Sequence, residues 1–272
     1  MCSSDLAHTH AKITTGRKEN KFGIDFATAR ALYARAARHS HVTPVGLACH
    51  IGSQITQLGP FDAAFRRVGT LVKNLRADGY TVDKLDLGGG LGIRYKDETP
   101  PDPADYAQLI AHVAAKLDVK VVVEPGRFLV GNAGALLSRV LYVKSGQSRR
   151  FVIVDAAMND LMRPALYDAW HEIVPVGRPK SRRVIADVVG PVCETTDIFA
   201  RGRRLPVLAS GDLVAVLSAG AYGAAMASDY NSRPLVPEVL VKGPRFAVIR
   251  PRQSVEAMLS RDTLPAWFKP SR

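Results

Sequence analysis

Several short groups of residues place chemically capable side chains directly after apolar runs. Gly88-Gly89-Gly90 has no Cβ atoms, so its N–H groups can approach an anion closely, although glycine runs also make plain turns. Glu124-Pro125-Gly126-Arg127 sets a carboxylate beside a guanidinium, which taken alone reads as a structural ion pair. His50 opens His50-Ile51-Gly52-Ser53-Gln54, and a single histidine in such a place is usually a satisfied core residue. Cys193-Glu194 follows Gly190-Pro191-Val192 and precedes Asp197. A buried, inert cysteine is the default there, but an acidic neighbour favours the protonated thiol, which suits a proton donor better than a nucleophile. Gly220-Ala221-Tyr222-Gly223 lies in a small-residue stretch ending at Tyr230-Asn231, which fits a loop closing over a ligand or a tight turn.

The elements that must carry these residues follow from periodicity. Residues 27–38 are rich in Ala, Leu and Arg and read as helix, and residues 45–50 read as a buried strand. Phe61, Phe65, Val68, Leu71, Val72 and Leu75 then recur at helical spacing. Residues 84–87 form a strand ending in the three glycines, Pro103 opens a helix over 104–117, and residues 120–124 form a Val-rich strand. Repeated strand–helix units argue for a parallel sheet with helices outside it. His50, Gly88 to Gly90 and Glu124 to Arg127 each come just after a strand, the end at which a β/α barrel binds ligands. Residues 136–144, 151–154, 184–188, 213–217, 237–242 and 246–249 are short β-branched runs, which suggests a mostly antiparallel β domain. The expected fold class is therefore α/β plus β: a partial (β/α)8 TIM-type barrel over 7–130 and a β domain over 131–272.

The 272 residues have room for one large domain or two ordinary ones, and 47% hydrophobic with 23% charged residues is a globular composition. No apolar run reaches the ~18 residues of a membrane span, and the start lacks a signal-like pattern, so a cytoplasmic protein is expected. Cys2, Cys49 and Cys193 are scattered with no metal-ligand spacing, which argues against a disulfide framework or a metal site. The net charge of +12 is concentrated at 178–183, 201–204 and 245–252. No nucleic-acid motif accompanies these runs, so they read as an Arg-rich surface that attracts small anions.

The order of the motifs carries more than any one of them. His50-Ile51-Gly52-Ser53-Gln54, Gly88-Gly89-Gly90-Leu91-Gly92, Glu124-Pro125-Gly126-Arg127, Met162-Arg163-Pro164-Ala165-Leu166-Tyr167, Cys193-Glu194 and Gly220-Ala221-Tyr222 follow one another along the chain. This series resembles the fold-type III pyridoxal-phosphate-dependent decarboxylases, and within them the diaminopimelate decarboxylases, from about Ala7 to the C-terminus. The resemblance implies that pyridoxal 5'-phosphate is bound by His50 against its ring, by Gly88, Gly89, Gly90, Gly126 and Arg127 at its phosphate with Ser53 nearby, and by Glu124 at its pyridine nitrogen. Pro125 belongs to the same motif, and Tyr222 reaches cofactor and substrate. Arg127, Arg163, Tyr167 and Glu194 are implied in substrate binding, and Cys193 in protonating the carbon that loses CO₂. In that family the cysteine and glutamate serve the partner's site, so a homodimer is implied. The expected reaction converts meso-2,6-diaminopimelate to L-lysine. The alternatives are a decarboxylase of ornithine or arginine, or a non-catalytic binding protein.

One departure from the family stands out. Its cofactor-bearing lysine lies early in the barrel, and Lys12, Lys18 and Lys21 do not match that context. A whole barrel needs about 250 residues, so the expectation is that on the order of 100 N-terminal residues are missing. The 272-residue chain alone is then expected to be inactive, to give no borohydride-reducible adduct with pyridoxal phosphate, and to aggregate through uncovered strand edges.

Overall fold

The computed structural model describes residues 23–177 and 182–268. Cys2, Lys12, Lys18, Lys21 and the first part of the 178–183 basic run lie outside the described residues. The chain divides into two compact units between Ala133 and Gly134.

In the first unit, helix α1 (Phe26–Ala37) starts where the Asp25 carboxylate accepts from the Thr28 N–H at 2.8 Å, and it buries Ala29 and Tyr33. Strand β1 (Gly46–Ala48) leads to helix α2 (Leu58–Ala77), whose buried stripe includes Phe61, Phe65, Val68, Leu71, Val72 and Leu75. Strand β2 (Lys84–Gly89) runs through two of the three glycines, beyond the end expected from the apolar residues alone. Helix α3 (Pro103–Leu117) is started by proline in its first turn and by Asp102, whose side chain accepts from the Ala104 N–H at 2.7 Å. Strand β3 (Lys120–Glu124) and the short helix α4 (Gly126–Val130) complete the unit.

The three strands form a parallel sheet in the order β1-β2-β3. Parallel neighbours need crossover connections, and α2 and α3 supply them. This is the partial barrel expected from the alternating pattern. Its core packs α2 and α3 against Leu85 and Leu87 of β2 and against Cys49, Ile51 and Ile55 beyond β1. The last turn of α3 is fastened from outside itself. The Arg76 guanidinium on α2 donates to the carbonyls of Leu117 (2.5 Å), Asp118 (3.1 Å) and Val82 (2.6 Å). These bonds use carbonyls that a helix end cannot satisfy internally.

The second unit contains strands β4 (Leu136–Ser145) and β5 (Arg150–Val154), helix α5 (Arg163–Tyr167), and strands β6 (Ile173–Pro175), β7 (Arg183–Val189), β8 (Ile198–Pro206) and β9 (Leu213–Val216). They pair in the order β6-β9-β4-β5-β7-β8, antiparallel throughout except for β5 with β7. Strand β4 pairs with β9 along its first half and with β5 along its second, so one strand joins the two halves of the sheet. The core gathers Val140, Val152, Val154, Leu161, Ile173, Val188, Phe199, Val214 and Val216. Strands β10 (Glu238–Lys242) and β11 (Arg245–Arg250) form a separate hairpin, followed by helix α6 (Val255–Leu259).

Strand β8 corrects the reading of residues 201–204 as Arg-rich surface. Arg203 is buried, with its guanidinium over the Trp170 ring and its Nη2 donating to the His171 carbonyl at 2.7 Å. Strand alternation turns it inward, where a cation can stack on an indole face.

Candidate active site

His50 lies two residues beyond β1, Gly89 is the last residue of β2, and Glu124 is the last residue of β3. The parallel register sets Gly89 opposite Glu124, and the Gly89 N–H donates to His50 Nδ1 at 3.3 Å. Three groups 35 or more positions apart thus meet at the C-terminal end of three neighbouring strands. An accepting Nδ1 puts the proton of the neutral ring on Nε2. Burial holds His50 below the usual histidine pKa, with the charges of Glu124 and Asp86 pulling the other way.

The glycines are required by close approach as well as by dihedral angle. A Cβ on Gly89 would stand 2.0 Å from the Glu124 carbonyl oxygen, and one on Gly88, at φ +67°, would stand 2.2 Å from that of Cys49. The Gly88 N–H donates to the Asp86 carboxylate at 2.8 Å, so of the three amides this one already has an anionic acceptor. The loop after β1 is clipped to the loop after β2. Gln54 donates to the Ile93 carbonyl at 2.6 Å and accepts from its N–H at 3.1 Å, and Ile55 N–H donates to Gly90 O at 2.8 Å. Ser53 sits on this loop, partly buried. Pro125 precedes α4, and the N–H groups of Gly126 and Arg127 have no carbonyl one turn back within the helix. The Arg127 side chain is buried, with Nη1 donating to the Tyr95 hydroxyl at 3.4 Å.

In the second unit, Cys193 and Glu194 ride on a loop folded around Asp197. The Asp197 carboxylate is buried and accepts from the N–H groups of Met158 (2.7 Å) and Val192 (2.8 Å). Gly190 packs so closely on this carboxylate that a Cβ there would meet Oδ2 at 2.3 Å. Burial raises the Asp197 pKa, opposed by the two backbone donors. Glu194 accepts from the Thr196 hydroxyl and, at 2.7 Å, from the Tyr230 hydroxyl, and these two donors lower its pKa. Cys193 is an exposed free thiol with Asn231 Nδ2 at 4.0 Å from its sulfur, whereas Cys49 is buried in the first unit. Arg163 opens α5 and Tyr167 ends it. Arg163 is buried and its Nη1 donates to His171 Nε2 at 2.8 Å. Tyr222 is exposed, at φ +57°.

The residues picked out by sequence therefore form two groups, one in each unit. Tyr230, Thr196, Gln54, Tyr95 and His171 join them without having been singled out for these roles. The Thr195-Thr196 hydroxyls beside Glu194 were a readable signal, while nothing near His171 marked it out.

A family model described as the pyridoxal-binding domain of pyridoxal-dependent decarboxylases matches residues 2–131. The diaminopimelate decarboxylase of Zymomonas mobilis is 50% identical over 263 residues, covering 96% of this chain. Residues 2–131 thus match this decarboxylase family, and the chain as a whole is similar to its diaminopimelate decarboxylases. A second relative, the diaminopimelate decarboxylase of Pseudomonas aeruginosa, is 51% identical over 95% of the chain. The crystal structure of the diaminopimelate decarboxylase of Helicobacter pylori complexed with L-lysine matches with a TM-score of 0.90 at 41% identity, over 95% of this chain and 64% of that one. The chain spans 62% of the length of each of the two relatives compared by sequence.

The family's cofactor is pyridoxal phosphate, and the residues present fit it. A carboxylate, a neutral imidazole and a glycine turn meet at the ends of adjacent strands, and a Cβ on Gly88, Gly89 or Gly90 would clash with a neighbouring backbone carbonyl, so the turn stays bare of side chains. Among the described residues, no helix is long and apolar enough to cross a membrane.

Proposed function

We propose that this protein, with pyridoxal phosphate bound, decarboxylates meso-2,6-diaminopimelate to L-lysine. The observation that carries the proposal is the meeting of His50, Gly89 and Glu124 at the ends of three adjacent parallel strands. Bound pyridoxal phosphate supplies a protonated pyridine ring that accepts the electron pair left behind when CO₂ departs.

The chain's own residues have distinct tasks in this reading. The Glu124 carboxylate holds the proton on the pyridine nitrogen. His50, kept neutral by burial, lies against the ring without adding charge to it. Gly88, Gly89 and Gly90 with the backbone of Gly126 and Arg127, and Ser53 nearby, accommodate the phosphate. Arg127 and Arg163 suit substrate carboxylates because a guanidinium donates two parallel hydrogen bonds. Tyr167 and Tyr222 line the substrate, and Glu194, held ionised by its two hydroxyl donors, accepts from the distant amino group. The Cys193 thiol delivers its proton to the carbon that has lost CO₂. Cys193 and Glu194 complete the site of the partner in a homodimer, and the enzyme works in the cytoplasm.

The test is to express the full reading frame that contains this chain and to measure CO₂ release from meso-diaminopimelate, L-ornithine and L-arginine. Release from diaminopimelate in clear preference to the other two is expected. A preference for ornithine would overturn the roles of Arg163 and Tyr167. Cofactor and lysine binding without CO₂ release from any substrate would instead identify a binding protein.

A further inference from the structure

Among the described residues of the second unit, His171 is a polar side chain buried to 0% exposure, and no step of the proposed reaction uses it. Both ring nitrogens are engaged. Nε2 is 2.8 Å from Arg163 Nη1, and Nδ1 is 2.8 Å from the Leu217 carbonyl oxygen. A guanidinium only donates and a carbonyl only accepts, so one tautomer satisfies both contacts. Nε2 accepts from Arg163, and Nδ1 carries the hydrogen and donates to Leu217. The opposite tautomer would set N–H against N–H at one end and lone pair against lone pair at the other.

Each end of this line reaches a group with a place in the substrate site. Arg163 opens α5, the helix that ends on Tyr167. Leu217 is the last residue before the turn that carries Tyr222, and its N–H donates to the Glu172 carbonyl at 2.8 Å. That turn is tightly built. Ser218 and Tyr222 have positive φ of 56° and 57°, Ala219 N–H donates to Gly134 O at 2.8 Å, and a Cβ on Gly223 would stand 2.3 Å from the Ala219 carbonyl oxygen. Around the imidazole, Arg203 donates to the His171 carbonyl at 2.7 Å and pairs with Glu172 at 3.5 Å. The imidazole is thus bonded by the Arg163 guanidinium, while the Arg203 guanidinium holds the backbone of the same residue and pairs with Glu172.

We propose that His171 is a positioning residue that ties the Arg163 guanidinium to the root of the Tyr222 turn, so that α5 and this turn present their substrate-facing side chains in one fixed arrangement. The proposal rests on the decarboxylase reading for what Arg163 and Tyr222 contact, but the tie itself is a property of this chain. An imidazole suits the task because it is a flat, rigid link with one donor and one acceptor in fixed opposite directions. A phenylalanine of similar shape would leave a guanidinium N–H and a carbonyl buried without their present partner.

Two variants each cut one end of the tie. In His171→Asn the carboxamide nitrogen replaces Nδ1 toward Leu217, and the acceptor for Arg163 is lost. In His171→Gln the carboxamide oxygen reaches the Nε2 position and retains the acceptor, and the bond to Leu217 is lost. In the holoenzyme, His171→Asn is expected to raise KM for diaminopimelate about tenfold or more with kcat within about threefold, the loss expected for a hydrogen bond to a charged group. His171→Gln cuts the other end of the tie and is expected to raise KM less, by about fivefold, because the bond lost there joins neutral groups. No rise in KM in either variant, or a loss confined to kcat, would overturn the positioning role.

A second readout needs no turnover. Nitrogen-15 NMR of the unmodified protein should show His171 as the Nδ1–H tautomer, with an unprotonated Nε2. An Nε2–H tautomer or averaged ring nitrogens would overturn the tie directly. This measurement also decides the tie if both variants fail to fold. Should the wild-type enzyme release no CO₂ while the Nδ1–H tautomer is present, the decarboxylase reading fails and the tie stands.

Discussion

His171 and the glycines at the end of β2 show how single residues set both stability and chemistry. Burial pushes the His171 pKa down to about 4 from 6.5, and Arg163 and Arg203 add to the effect while the bond to Leu217 opposes it. The folded-state pKa lies below the unfolded one, so the unfolded chain takes up the proton first as pH falls. The contribution is therefore complete above about pH 6.5 and is lost progressively toward pH 4, by on the order of 3 kcal/mol. Urea denaturation at pH 7 and pH 4.5 should show a steeper acid loss for the wild type than for His171→Gln, which has no proton to gain there. Equal slopes would mean that the imidazole titrates normally. At the other unit, Gly89→Ala forces a methyl group against the Glu124 carbonyl and should cost on the order of 3 kcal/mol in the same assay. Glu124→Gln removes a charge rather than a shape. It is expected to lower kcat on the order of a hundredfold or more with little change in melting temperature, since positioned proton-holding groups contribute that much.

At the scale of elements, the question is what fixes strand ends in register. Helices α2 and α3 each bury one stripe, and the Arg76 fork links them by binding the carbonyls of Leu117 and Asp118 at the end of α3 and that of Val82 before β2. Arg76→Ala leaves these carbonyls without that donor and should destabilise the protein by about 2 kcal/mol, the range for a hydrogen-bonded charged group. Arg76→Lys should recover less than half of this in thermal unfolding, because an ammonium cannot span three carbonyls as a planar fork does. Helix positions were legible because an apolar residue every third or fourth place is a local signal. Strand β8 was not legible, because Arg201, Arg203 and Arg204 mask its alternation. The Trp170 ring, the His171 carbonyl and the Glu172 carboxylate make a strand position for buried Arg203 acceptable.

For the whole molecule, the β10–β11 hairpin stands out by what it leaves in water. Val241 and Phe246 are 67% and 75% exposed, and Leu240, Val248 and Ile249 are exposed as well. An apolar two-stranded ribbon with open edges favours association. The 272-residue chain should therefore elute at larger apparent size as its concentration rises. The double substitution Val241→Lys with Phe246→Lys should suppress that rise, and a size independent of concentration in both proteins would contradict the expectation.

The sequence by itself determined which residue types occur and in what order, and this was enough to show the chain's likeness to this family and to mark His50, Glu124, Arg163 and Cys193. It also determined most helices and strands, since periods of 3.6 and 2 are written into neighbouring residues. The tertiary structure alone decided which of these groups touch. Gly89 meets His50 across 39 positions, and Leu217 meets His171 across 46. Such pairings depend on strand register and on where a buried donor finds an acceptor, and neither leaves a mark in local spacing.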